Sequence, residues 1–322
     1  MGRVVAFAEL GAVGLIGIDH PPVNAISHSL RRELVDEIVR AEKNPDIKAL
    51  LIMSEGEMFS AGADIAEFDR PQEDPSFEQV QTTIESSAIP VVVAIRGLAL
   101  GGGLELAMSC HYRVAHKNAK LGMPEITLGI IPGAGGTQRL PRLIGARAAL
   151  NIILSGTSIS ALQAKGMGLV DEVTEDDLRD AALRFCERIV GEGLGPRPTC
   201  ERIVVEGLDD AEIASALLHH ARAWKGRTTQ NLLIEAIKAS QLPFSQGMAI
   251  ESALAKRARK AIRGGMSFWT DASVLGDAGI PSVVFGPGGA GLHSISEYVI
   301  ADDVITCRDA LIELAKEFCC GK

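Results

Sequence analysis

Two glutamates of this chain stand in glycine-rich settings. Glu105 closes Gly101-Gly102-Gly103-Leu104-Glu105, and Glu125 begins a run that ends at Ile131-Pro132-Gly133. Glycine lets backbone approach a ligand closely, and a carboxylate on a rigid frame can be aimed at one atom. A third segment, Phe59-Ser60-Ala61-Gly62-Ala63-Asp64-Ile65, is a loop of mostly small residues that can present backbone N–H groups with little side chain in the way. A helix N-terminus behind such a loop adds positive partial charge. Two N–H groups can hold a carbonyl oxygen as it becomes an enolate, and one such donor lowers the barrier by about 3–4 kcal/mol. Two carboxylates can then move protons, each contributing about 10²–10⁴ in rate. For one of them to act as an acid near neutral pH, burial or the other carboxylate must raise its pKa. The same residues also admit a plain packing role, with Glu105 on an exposed helix face and Glu125 capping a turn. The glycines fit neither G-x-G-x-x-G nor G-x-x-x-x-G-K-[ST], which disfavours a nucleotide fold.

These residues need elements to position them. Residues 4–8 and 13–18 read as paired strands joined by a short link at Gly11, and residues 27–40 space Leu30, Leu34 and Ile38 as a helix does, with Ser27 or Ser29 as N-cap. Residues 49–53 read as a buried strand, and residues 89–100 as a strand over 91–95 followed by a loop. Residues 67–76 are charged, hold Pro71 and Pro75, and read as a mobile surface loop. A helix begins at Gly102. Such alternation predicts α/β architecture with buried central strands. Residues 176–190 and 209–262 are mostly helical in pattern, with breaks near 191–198 and at Pro243. Composition shifts after Gly264-Gly265. The remainder holds Gly286-Pro287-Gly288-Gly289-Ala290-Gly291 and an amphipathic helical pattern over 308–318, and reads as a separate piece.

The bulk numbers narrow the class. With 322 residues the chain can build one large domain with an appendage, and its 47% hydrophobic and 23% charged content is that of a globular protein. A net charge of −9 argues against broad nucleic-acid binding. No apolar run reaches membrane-spanning length and no secretory leader is visible, so no membrane partner is expected. The six cysteines, Cys110, Cys186, Cys200, Cys307, Cys319 and Cys320, show neither C-x-x-C nor zinc spacing. They read as reduced thiols of a cytoplasmic protein with no metal site.

Several strings together carry a resemblance: Pro22-Val23-Asn24-Ala25, residues 59–65 and 97–106, His111-Tyr112-Arg113, residues 124–133, and Gly136-Thr137-Gln138. With them, residues 1–262 resemble the crotonase (enoyl-CoA hydratase/isomerase) superfamily, most closely the hydratase domain of bifunctional β-oxidation enzymes. The resemblance implies a core of repeated ββα turns over 1–195 with C-terminal helices over 196–262. It implies the Ala63 and Gly102 N–H groups as an oxyanion hole for an acyl-CoA thioester, and Glu105 and Glu125 as the acid/base pair. Ala61, Asp64, Ile65 and Gly133 are implied as substrate contacts. No cofactor is implied beyond the CoA of the substrate. Retention of both glutamates favours hydration of a trans-2-enoyl-CoA. A Δ3,Δ2-isomerase, a 3-hydroxyacyl-CoA dehydratase of another pathway and a catalytically silent scaffold stay open. Family members often form trimers or hexamers through the C-terminal helices, whereas the bifunctional relatives do not. The only later string of that form, Gly286-Pro287-Gly288-Gly289-Ala290-Gly291, lies in the piece after Gly264-Gly265 that reads as something else, so dehydrogenase activity is not expected.

Residues 263–322 are similar to something else. Trp269-Thr270-Asp271-Ala272, Gly279-Ile280-Pro281, Phe285-Gly286-Pro287-Gly288, His293 and Glu297 resemble the end of M20-family zinc peptidases. The His293 equivalent is a zinc ligand there, but no histidine of this chain lies in H-x-D, and one histidine cannot build a catalytic zinc site. The tail, an α/β fragment on this reading, is expected to have no peptidase activity. At the seam, Lys256, Lys260 and Arg263 share one helical face. Contact with CoA phosphates and a plain solvated basic face are both open there.

Overall fold

The computed structural model describes residues 3–64, 67, 73–220, 227–260, 289–290 and 298–299. The chain divides into two compact units, Met1–Arg263 and Gly264–Lys322. The strands of the first are β1 (Val5–Leu10), β2 (Val13–Ile18), β3 (Ala49–Ser54), β4 (Val91–Ile95), β5 (Leu98–Leu100), β6 (Tyr112–His116), β7 (Lys120–Gly122), β8 (Ser158–Ser160) and β9 (Glu172–Thr174). Its helices are α1 (His28–Glu42), α2 (Phe77–Glu85), α3 (Gly102–Ser109), α4 (Gly136–Ile144), α5 (Ala146–Ser155), α6 (Ala161–Gly166), α7 (Leu178–Gly191), α8 (Asp210–His219), α9 (Arg227–Lys238) and α10 (Phe244–Lys260). Among the described residues no helix is long and apolar enough to cross a membrane.

A six-stranded sheet in the order β1-β2-β3-β4-β6-β9 forms the centre, with only the β1/β2 pair antiparallel. Every residue of β2, β3 and β4 is buried, as a sheet covered on both faces requires. The side chains divide by alternation. Ile16, Ile18, Leu50, Ile52, Val91, Val93 and Ile95 join a core with Leu30, Leu34 and Ile38 of α1. Their neighbours Leu15, Leu51, Met53, Val92 and Ala94 pack against Leu178, Ala182, Phe185 and Ile189 of α7. Ile213 of α8, Leu233 of α9 and Leu254 of α10 belong to the first of these cores.

Ser27 caps α1, its side chain accepting the Leu30 N–H. Two segments differ from the sequence reading. Leu98–Leu100, expected as loop, is a strand pairing in parallel with Lys120–Gly122. Three residues are too few to show a period, and the pairing partner lies more than twenty positions away. Glu67, expected in a mobile loop, is anchored: it accepts the His28 N–H at 2.6 Å and pairs with Arg31 at 2.7 Å. Burial opposes its charge, but these bonds prevail and lower its pKa. In the second unit Gly289–Ala290 pairs antiparallel with Tyr298–Val299 as β10 and β11. The helix expected over 308–318, with His293 and Glu297, lies outside the described residues.

Candidate active site

Strands β3 and β4 are parallel neighbours, so their C-terminal ends open side by side. The chain leaving β3 forms the 59–64 loop, and the chain leaving β4 forms β5 and then α3. Three backbone amides of the loop are engaged: Ser60 N–H to Leu98 O at 3.0 Å, Ala61 N–H to Val23 O at 3.0 Å, and Gly62 N–H to Ser60 Oγ at 3.1 Å. Asn24 pins the loop from below, with Nδ2 donating to Met58 O at 2.9 Å and Phe59 O at 3.1 Å, while its own carbonyl accepts Ser60 Oγ–H at 2.7 Å. Asn24 holds φ at +50°, which explains an Asn in the Pro-Val-Asn-Ala string.

The loop delivers Ala63 against the start of α3. A Cβ on Gly102 would stand 2.9 Å from Ala63 N, so only glycine lets these two backbone segments meet. Gly101, at φ +49°, turns the chain into α3, and a Cβ there would lie 2.8 Å from Glu125 Oε1. One stretch of glycine backbone therefore touches both the Ala63 amide and the Glu125 carboxyl. Ala61 and Ala63 are exposed and Asp64 is half-buried, so these three reach the rim of the site. Gly133 is half-buried beside the turn described next, and Ile65 lies outside the described residues.

Glu105 sits in the first turn of α3, whose residues are all buried, and is itself only 3% exposed. Its Oε1 accepts the Ala134 N–H at 2.9 Å and the Gly136 N–H at 2.8 Å. Glu125 lies in the 3-10 turn Pro124–Leu128. That residue is half-buried overall, but Oε2 is inaccessible and has no hydrogen-bond partner among the described residues. Burial first, and then the Glu105 charge, hold its pKa well above the usual carboxylate range. The two glutamates thus sit close enough for one to set the titration of the other. Neither has the exposed or purely capping position that a packing role would give it.

Several residues that hold this geometry were not singled out in the sequence. Gln81 of α2 donates to Ala134 O at 2.8 Å and Glu105 O at 3.3 Å. Arg139 of α4 pairs with Glu85 of α2 at 2.7 Å, their side chains 2% and 5% exposed. The signal for α2 was present: Ser76 and Gln79 form a capping box ahead of Val80 and Ile84. His111 and Arg113 prove structural, His111 accepting the Val91 N–H and Arg113 donating to Leu169 O and Cys110 O. At the seam Lys256 is exposed, whereas the Lys260 side chain and Arg263 lie outside the described residues.

Residues 9–219 match the model of the enoyl-CoA hydratase/isomerase family. The chain belongs to this family. Among its curated relatives in the enoyl-CoA hydratase/isomerase family, it is 42% identical over 244 residues to the peroxisomal bifunctional enzyme of Danio rerio, covering 76% of this chain and 34% of that protein. Against the peroxisomal bifunctional enzyme of Homo sapiens the identity is 41% over 246 residues, with the same shares of 76% and 34%. The chain thus spans about a third of the length of these relatives. Among solved structures, the enoyl-CoA hydratase of Bacillus anthracis superposes with a TM-score of 0.56 at 29% identity, covering 86% of this chain and 95% of that one. The mixed sheet and its surrounding helices are the fold of this family.

Proposed function

We propose that this chain adds water across the 2,3 double bond of a trans-2-enoyl-CoA, giving a 3-hydroxyacyl-CoA, as a step of fatty-acid β-oxidation or related acyl-CoA degradation. The observation that carries the reading is the pair Glu105 and Glu125, close enough for the Glu105 charge to raise the Glu125 pKa, with Glu125 against Gly101 and the next residue, Gly102, against Ala63. In the proposed reaction the Ala63 and Gly102 N–H groups hold the thioester oxygen, where negative charge develops. Glu105 takes a proton from water as the water oxygen bonds to C3. The π electrons move toward the thioester, and Glu125 gives its retained proton to C2. Proton exchange restores both carboxyls, and one water is added overall. Ala61, Asp64, Ile65 and Gly133 are proposed to line the bound thioester. No cofactor enters beyond the CoA of the substrate.

Loss of the enoyl absorbance of crotonyl-CoA tests this reading. Glu125→Gln keeps the side-chain volume but has no proton to give, and is expected to lower kcat by about 10²–10⁴. A wild-type protein that leaves crotonyl-CoA unchanged overturns the hydratase reading. A second reading, Δ3,Δ2 isomerisation, is favoured by the Glu125 oxygen that has no partner among the described residues, because one carboxyl can move a proton between C4 and C2. Conversion of a 3-enoyl-CoA that survives Glu105→Gln supports it. Assembly into a trimer or hexamer remains part of the proposal, checked by light scattering of the eluted protein. The compartment, cytoplasmic on the reading of the cysteines, is checked by imaging a tagged chain, since the Danio rerio and Homo sapiens relatives are named as peroxisomal enzymes.

A further inference from the structure

A second buried glutamate holds the turn that donates to Glu105. Glu251 stands in the middle of α10 with no exposed surface, more than one hundred positions from the residues it touches. Its Oε1 accepts the Gly135 N–H, and its Oε2 accepts the Thr137 N–H at 3.0 Å and the Thr137 hydroxyl. The amides of residues 134–137 therefore alternate. Ala134 and Gly136 donate to Glu105, while Gly135 and Thr137 donate to Glu251. The Ala134 carbonyl is held on its own side by Gln81 and Arg139. Gly135, at φ +94°, supplies the backbone conformation of the turn.

We infer that Glu251 is a positioning residue, clasping the 134–137 turn so that its other two amides stay aimed at Glu105. The warrant is geometric. A buried donor left without its acceptor destabilises the conformation that buries it. Without the Glu251 carboxyl, two backbone amides and a hydroxyl are orphaned together, and the turn must rotate to find new acceptors. Rotation of that turn also swings the Ala134 and Gly136 amides away from Glu105. Burial and the Glu105 charge push the Glu251 pKa up to about 8, so near neutral pH the clasp adds little negative charge beside Glu105. The last helix of the first unit is in this way tied to the proton chemistry without touching substrate.

The catalytic half of this inference rests on the hydratase reading; the clasp itself does not. Glu251→Gln keeps the volume but sets an amide NH2 against a backbone donor. The full-length variant and the wild type are compared by amide exchange at residues 134–137, by thermal melting, and by kcat and KM on crotonyl-CoA. Exchange at Ala134 and Gly136 is expected to quicken by about tenfold, with kcat down about tenfold and KM within about twofold. A role in bulk stability alone would lower the melting temperature and leave kcat of the folded fraction unchanged. Wild-type exchange rates in Glu251→Gln overturn the inference, as does quickened exchange with kcat within about twofold of wild type. Should Glu251→Gln fail to fold, Thr137→Val removes one of the three donors and carries the same readouts. If the wild type turns over no enoyl-CoA, the hydratase reading fails, and amide exchange alone decides whether the clasp exists.

Discussion

A carboxyl group in water is ionised near neutral pH, and the chemistry proposed here needs one that is not. Burial first, and then the Glu105 charge, push Glu125 toward that state, and its Oε2 is left without a partner among the described residues. Hydration consumes the protonated form of Glu125. As pH rises through its raised pKa that form is lost, so kcat for hydration is expected to bend downward on the alkaline side. A profile of log kcat against pH with no alkaline limb would contradict the assignment. Stability follows the same direction. The Glu251 pKa rises from 4.5 to about 8, so the native state holds a proton that the unfolded chain has lost. The unfolded state then binds fewer protons, and stability falls as pH rises across that window, with Glu125 acting in the same sense. Melting temperatures measured from pH 5 to 8 are expected to decline, and to decline less in Glu251→Gln. At Gly102 the requirement is space. Gly102→Ala places a methyl 2.9 Å from Ala63 N and separates the two amides, with an expected loss of about 10²–10³ in kcat.

Among the elements, α2 links the parts of the site. It reaches α3 and the 134–137 turn through Gln81, and α4 through Glu85. The Glu85–Arg139 pair is buried on both sides, and its value lies in what removal of one partner leaves behind. Glu85→Ala strands the Arg139 guanidinium in the core, at a cost of about 3–5 kcal/mol. Urea unfolding of the variant measures it, and a loss below about 1 kcal/mol would show that water or another acceptor reaches Arg139. The Asn24 side chain does comparable work at the 58–60 loop with neutral hydrogen bonds.

The whole molecule is two compact units, and the residues that bear on the proposed chemistry lie in Met1–Arg263. A chain ending at Arg263 is accordingly expected to fold and to hydrate crotonyl-CoA with kcat within about twofold of the full chain. Loss of soluble protein on truncation would show that Gly264–Lys322 supports the first unit. The clasp by Glu251 sets the opposite expectation for a cut before α10. Such a chain loses the acceptor for Gly135 and Thr137 along with the core contribution of Leu254.

The buried strands were legible because apolar β-branched runs between turn residues have few other uses, and α1 was legible from Ser27 and the spacing of Leu30, Leu34 and Ile38. The glycine setting of Glu105 and Glu125 was visible for a similarly local reason: backbone that must touch a ligand or another backbone cannot carry side chains. What no local pattern contained was distance across the fold. That Gly102 meets Ala63, that Glu105 faces the Ala134 and Gly136 amides, and that Glu251 completes the turn from more than one hundred positions away are products of sheet order and helix packing. A glutamate in a helical pattern looks the same whether it faces water or a buried amide. Residue types alone therefore pointed to proton chemistry, and tertiary structure decided which carboxyl is pushed toward holding its proton, because desolvation and the nearness of a second charge exist only in the folded chain.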